Sequence, residues 1–97
     1  LSLPRLVDLM AAGPARIYGL QTKGRMAVGF DADFTLVDMK ARREIRNDWI
    51  ASPVGWTPFD GKQVTGWPVG TIVRGHIVMR DDEITSTPIG RLARFAP

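Results

Sequence analysis

Residues 69–84, VGTIVRGHIVMRDDEI, alternate runs of strand-forming residues with two-residue breaks, a pattern that excludes an all-helical fold. Thr71 to Val73 and His76 to Met79 are rich in β-branched and long apolar side chains, which suit a pleated, half-buried surface. Between them, the glycine of Arg74-Gly75 supplies the positive φ that a tight hairpin turn requires. Asp81-Asp82 predicts a second turn before Glu83 and Ile84. The expectation is a meander of short antiparallel strands.

The chain opens with a different period. In LSLPRLVDLMAAG, residues 1–13, Leu3, Leu6, Val7 and Met10 recur at the i, i+3, i+4, i+7 spacing of one helical face. Ser2 suits the N-cap, Pro4 falls in the first turn where a missing N–H is harmless, and Gly13 predicts the stop. Pro14 restarts a short helical turn through Ala15, Arg16, Ile17 and Tyr18, which Gly19 ends. From Gly24 the pattern loosens. Gly29 and Asp31 are turn formers, and Phe34 to Met39 reads as a strand with apolar bulk on both faces, hence one covered on both sides. REIRND, residues 43–48, predicts a short strand; Asp48 caps a helical turn through Trp49, Ile50 and Ala51, and Pro53 ends it. The loop GWTPFDG, residues 55–61, carries Trp56 and Phe59, two rings with nothing to pack against on a free surface, so another surface is expected to cover them. The tail from Thr87 has no clear period, and Leu92 and Phe95 are its expected anchors.

Ninety-seven residues hold one core, and a chain of this size buries roughly two-thirds of its unfolded surface. A helical lead-in followed by short strands makes the fold class α+β. No apolar run approaches the roughly 18–20 residues that cross a bilayer, and the N-terminus lacks a basic-then-apolar signal pattern. Zero cysteines exclude disulfides and thiolate metal sites. Together these predict a soluble, cytoplasmic protein with no membrane partner. The charge of +3 comes from 13 basic residues scattered among 10 acidic ones. Lys40, Arg42, Arg43 and Arg46 cluster, but Glu44 interrupts them, and a solvated strand or turn face explains them better than a phosphate-binding stripe; no nucleic-acid partner is expected. The start at Leu1 rather than Met, directly at a helix, suggests a piece of something longer.

The sequence offers little chemistry. His76 is the one histidine, and a metal site needs several converging ligands. As a catalytic base it would need Ser2, Ser52 or Ser86 as nucleophile, and none lies in a nucleophile turn. Asp31/Asp33 and Asp81/Asp82 are carboxylate pairs at turn positions, where Asp serves by bonding nearby backbone N–H groups. GRMAVG and GKQVTG lack the spacing of phosphate-cradling loops. Trp49, Trp56 and Trp67 read as packing residues before they read as a base-stacking platform. No residue is assigned a catalytic, cofactor-binding or metal-binding role.

Taken in order, LSLPRLVDLMAAGPARIYGL, KGRMAVGFDADFTLVD, GWTPFDG and VTGWPVGTIVRGHIVMRDDEI resemble the C-terminal end of cyclic amidohydrolases of the dihydroorotase type, with allantoinases and dihydropyrimidinases as close relatives. The likeness runs from Leu1 to about Phe95, and Gly13 stands where the family often has Asn. The resemblance implies a (β/α)8 barrel with a binuclear metal site, usually zinc, plus a small β-sandwich built from both ends of the chain. It also implies that a metal-activated hydroxide attacks a ring amide carbon while a strand-end Asp shuttles the proton. The family's His-x-His pair, carboxylated Lys, further His residues and strand-end Asp have no counterpart here, so no zinc ligand transfers to this segment. Residues 1–20 correspond to the terminal helical part of the barrel and 21–97 to the antiparallel β-sandwich portion. The implied partner is the missing N-terminal barrel portion, and an exposed strand edge predicts a homo-oligomer. The implied function is the structural C-terminal part of a dihydroorotase serving pyrimidine biosynthesis. The alternatives are an allantoinase or dihydropyrimidinase segment, or a free-standing basic β interaction module.

Overall fold

Ser2 opens the helical part as its side chain dictates. The computed structural model describes all residues, Leu1–Pro97, and in it Ser2 takes extended backbone while its Oγ accepts the Arg5 N–H at 3.2 Å. One rod follows, made of α1 (Leu3–Val7), a π-helical turn (Asp8–Ala12) and α2 (Gly13–Tyr18). Gly13 does not stop the helix. Its φ of −60° and ψ of −58° are helical, and its N–H donates to the Asp8 carbonyl, five residues back. Pro14 supplies the reason: it has no N–H for the Met10 carbonyl and its ring crowds that group, so a turn widened by one residue makes room. Glycine is needed there because a Cβ at 13 would lie 2.6 Å from the Asp8 carbonyl oxygen. The rod ends at Gly19, whose φ of 68° is left-handed.

Residues 20–33 carry the chain from helix to sheet and fold back under the rod. Gly24, at φ +88°, approaches so closely that a Cβ would meet the Ala15 Cβ at 2.8 Å and the Ala11 carbonyl oxygen at 2.9 Å. That contact helps to bury Ala15.

The strands β1 (Phe34–Glu44), β2 (Gln63–Val73), β3 (His76–Arg80) and β4 (Glu83–Ile84) form one antiparallel sheet in the order β1-β2-β3-β4. Both hairpin turns fall where the sequence puts them. Arg74 and Gly75 have φ of 46° and 82°, Asp81 and Asp82 of 49° and 69°, so both central residues are positive, as a type I′ turn demands. The strands are longer than the local pattern suggests. β1 runs past Met39 to Glu44, so Arg43 and Glu44 end it rather than begin a new strand, and β2 starts at Gln63 despite Pro68. A proline inside a strand lacks a ladder donor. Here Leu36 pairs with Gly70 and Val37 with Pro68, which leaves Val69 as the extra residue of a bulge. A second irregularity separates Asp38 from Arg42, where the Asp38 Oδ1 accepts the N–H groups of Lys40 and Ala41 at 3.0 and 3.2 Å. The expected helical turn is a single 3-10 turn at Asn47–Trp49, and Asp48 lies inside it instead of capping it. At the C-terminus Phe95 bridges Leu20, while Leu92 is exposed and anchors nothing.

This architecture has almost no interior of its own. Three residues are buried: Ala15, Gly70 and Trp67, which is 5% exposed. The accessible surface is 7839 Å², against roughly 5,500 Å² for a compact monomer of this mass. The radius of gyration is 15.2 Å, against roughly 12.5 Å for a compact domain of this length. Leu36, Val37 and Met39 stand exposed on β1, so the cover expected on both of its faces is not supplied by these residues. The sheet is one layer, with no second sheet of this chain facing it. No helix is long and apolar enough to cross a membrane.

Gly24→Val places a branched side chain at positive φ and inside van der Waals contact with Ala15. The expected loss is roughly 2–4 kcal/mol, combining backbone strain with overpacking. An unchanged urea midpoint in the protein that carries the substitution would show that the linker does not pack against the rod.

Candidate functional site

Each residue considered for chemistry is used locally. His76 begins β3 on the exposed surface and pairs across the hairpin with Val73. The Ser2 Oγ caps the helix, the Ser52 Oγ accepts the Val54 N–H at 3.4 Å, and the Ser86 Oγ donates to the Thr87 carbonyl at 2.7 Å; none is hydrogen-bonded to His76. Among the clustered basic residues, Arg46 pairs with Glu44 at 3.1 Å, and Lys40, Arg42 and Arg43 are exposed on β1.

Asp82 has a role that turn chemistry alone does not suggest. It is the second residue of the β3–β4 turn, and its Oδ1 accepts two indole N–H groups, from Trp67 on β2 and from Trp49 in the 3-10 turn, each at 2.9 Å. The two rings lie 4.8 Å apart between centroids and tilt by 52°, within the favoured range for aromatic pairs. One carboxylate thus ties together three segments that are distant in sequence. The Trp67 hydrogen bond is the main cause that holds the Asp82 carboxyl below the usual carboxylate range; desolvation opposes it, and Trp49 adds to the lowering. Sequence reasoning missed this clamp because nothing in the spacing of residues 49, 67 and 82 brings them together.

A second polar knot latches the linker to the sheet. The Lys23 Nζ lies 3.0 Å from the Asp31 Oδ2 and 2.5 Å from the Asp33 Oδ2. The Thr22 hydroxyl donates to Asp31 at 3.1 Å, the Arg74 N–H donates to the Asp33 Oδ1 at 2.9 Å, and the Gly75 N–H donates to the Ala32 carbonyl at 2.9 Å. The two carboxylates therefore both face one ammonium instead of sharing a proton as an acid–base pair would. The hydrogen bonds that Lys23 donates, to Asp33 first and then to Asp31, raise the Lys23 pKa and lower those of both carboxyl groups. The ammonium's contribution is complete below its ordinary pKa of 10.5 and is lost as pH rises through the raised value. The carboxylates contribute above 3.8 and lose that contribution as pH falls through their lowered values. The latch is therefore intact across neutral pH, and its worth is modest because water reaches all three groups.

The largest concavity is apolar. A groove of about 530 Å³ opens between the 3-10 turn, the hairpins and residues 86–90, walled by Ile50, Val73, Val78, Met79, Ile84 and Ile89. The acidic residue in its lining is Asp82, already engaged by two indoles. Nowhere do three or more His, Cys, Asp or Glu side chains gather as metal ligands would, so the residues of this chain do not fit the binuclear metal that the resemblance implies.

These residues make a small helix-and-sheet unit whose apolar faces are left unfilled. The sequence profile of the amidohydrolase family matches residues 1–78, and the chain belongs to that family. It is 51% identical over 84 residues to a dihydroorotase of Methanothermobacter thermautotrophicus, covering 87% of this chain and 20% of that protein. An L-hydantoinase of Paenarthrobacter aurescens is 40% identical over 85 residues, covering 87% and 19%. Among solved structures, the L-hydantoinase (dihydropyrimidinase) from Arthrobacter aurescens superposes with a TM-score of 0.83 at 39% identity, over 89% of this chain and 19% of that one. The chain spans about one-fifth of the length of the relatives it matches.

Asp82→Ala removes the one oxygen that accepts both indole N–H groups and is expected to cost about 1–2 kcal/mol, a low figure for two hydrogen bonds because the carboxylate is exposed. Asp82→Asn keeps an acceptor and tolerates the left-handed turn, so it should retain most of that stability at pH 7. It should also lose the part of the acid sensitivity that Asp82 contributes, since the stability from the lowered carboxyl is present above 3.8 and disappears as pH falls below it. Urea midpoints at pH 7 and pH 3 for the three proteins check this; equal midpoints for Ala and the parent at pH 7 would remove the clamp.

Proposed function

We propose that these residues form the C-terminal structural part of a metal-dependent hydrolase that opens a cyclic amide, with dihydroorotate as the substrate. The carrying observation is the 51% identity to a dihydroorotase across a stretch that makes up one-fifth of that enzyme. In this reading residues 1–20 complete the barrel and residues 21–97 are the sandwich portion, while zinc and the groups that cleave the C–N bond belong to the rest of the polypeptide. The absence of cysteine supports a cytoplasmic setting.

The sheet edges bear on how the parts meet. β4 offers two residues, and the second half of β1 is blunted by its irregularity after Asp38 and by Lys40, Arg42 and Arg43. The remaining free edge is Phe34–Asp38, bent at the bulge between Leu36 and Val37, and this is where an added strand, from the rest of the enzyme or from a second copy, would pair.

The L-hydantoinase likeness favours a second reading in which the ring opened is a hydantoin or dihydropyrimidine. The two readings separate on the full-length enzyme loaded with zinc. Hydrolysis of dihydroorotate in preference to hydantoin is the expected result, and the reverse preference selects the second reading. The 97-residue chain alone is expected neither to bind zinc stoichiometrically nor to turn over either ring; both together would overturn the proposal.

A further inference from the structure

The loop between the 3-10 turn and β2 combines a hydrogen-bonded backbone with apolar side chains that are mostly uncovered, the Lys62 ammonium lying 5.8 Å from the centroid of the Phe59 ring. Its base is closed by side-chain bonds: the Asn47 N–H donates to the Asp60 Oδ1 at 2.7 Å, and the Thr57 N–H donates to the Asn47 Oδ1 at 2.9 Å. The backbone bonds Gly61 N–H to Ile45 carbonyl, 2.7 Å, and Ile45 N–H to Lys62 carbonyl, 2.9 Å, zip its two ends together. Inside it, the Gly55 N–H reaches the Ser52 carbonyl and the Phe59 N–H reaches the Thr57 Oγ1. Pro53 and Pro58 stiffen it further. Yet its apolar side chains stand largely in the open: Val54 is 62% exposed, Trp56 60% and Phe59 55%. The nine residues 51–59 carry no charge, in a chain with 23 charged side chains. Apart from the Lys62 ammonium over the Phe59 ring the tip is uncharged, which matches an apolar patch of protein.

Resting on the reading above, we infer that this tip is a pre-ordered plug, and that Val54, Trp56 and Phe59 seat in an apolar depression on the remaining four-fifths of the same polypeptide. Two observations select that occupant over a second copy. The matched relatives are about five times as long as the matched stretch, so most of the enzyme's surface lies outside these residues. The tip also offers only roughly 300 Å² of exposed apolar area, taking 150–250 Å² per aromatic side chain. A stable complex between separate molecules needs roughly 800 Å² per partner. A patch this small binds durably only where covalent connection has already removed the entropy cost of bringing two bodies together. Rigid order in the loop serves the same end, because little freedom is left to lose when it seats.

Hydroxyl-radical footprinting of the full-length enzyme, read peptide by peptide, tests this. Trp56 and Phe59 are expected to oxidise about tenfold more slowly in the native enzyme than in the urea-unfolded one, with protection independent of enzyme concentration. The double variant Trp56→Ala/Phe59→Ala is expected to abolish protection of Val54 and its neighbours while leaving the buried Trp67 protected, which shows that the sheet still folds. Oxidation of Trp56 at the unfolded rate in the native monomer would overturn the inference. So would protection that appears only as concentration rises, which marks a second copy, or only on adding lipid vesicles, which marks a membrane surface. An enzyme that hydrolyses neither ring but protects Trp56 refutes the proposed activity and keeps the plug; an active enzyme with an exposed Trp56 does the opposite.

Discussion

A β-sheet is stable in water only if at least one face is covered, and this sheet has little of its own chain to cover it. The 3-10 turn and the segment after β4 reach one face and leave the groove between Ile50, Val78 and Ile89 open. Sequence alternation sends Leu36 and Ile77 to the other face, where both remain exposed. Apolar bulk on both faces is the signature of a sheet placed between two layers. Everything else about the molecule follows from that unmet burial: the large surface, the extended shape and the single well-buried indole.

With so little hydrophobic interior, polar ties take over the work of positioning. Asp82 gathers Trp49 and Trp67, and Lys23 gathers Asp31 and Asp33 while Asp33 also accepts from the backbone of the β2–β3 turn. Each tie joins segments distant in sequence at a turn, where the backbone is already sharply set. In a surrounding enzyme such ties would shape the docking surfaces before they meet their counterparts. Every carboxylate in them accepts at least one donor.

Where local rules act alone, residues and structure agree. Ser2 caps α1, Gly19 ends the rod, and the Arg74-Gly75 and Asp81-Asp82 turns form because only a few side chains accept positive φ. Disagreement begins where two rules collide. Gly13 looked like a terminator, but Pro14 forces a widened turn that only glycine can admit. Pro68 concealed the first half of β2, and a bulge at Val69 reconciles it with the ladder. Asp48 reads as a cap, yet Asn47 and Asp60 close that loop. The indole clamp was invisible altogether, because it depends on three residues meeting in space.

The family was legible in the order of short motifs, which survive in sequence because turns and caps demand particular side chains at particular positions. Tertiary structure decided which carboxylate holds which donor, how a proline enters a strand, and which apolar residues remain uncovered. Those outcomes depend on contacts between residues tens of positions apart, and no local preference encodes a distance across the fold.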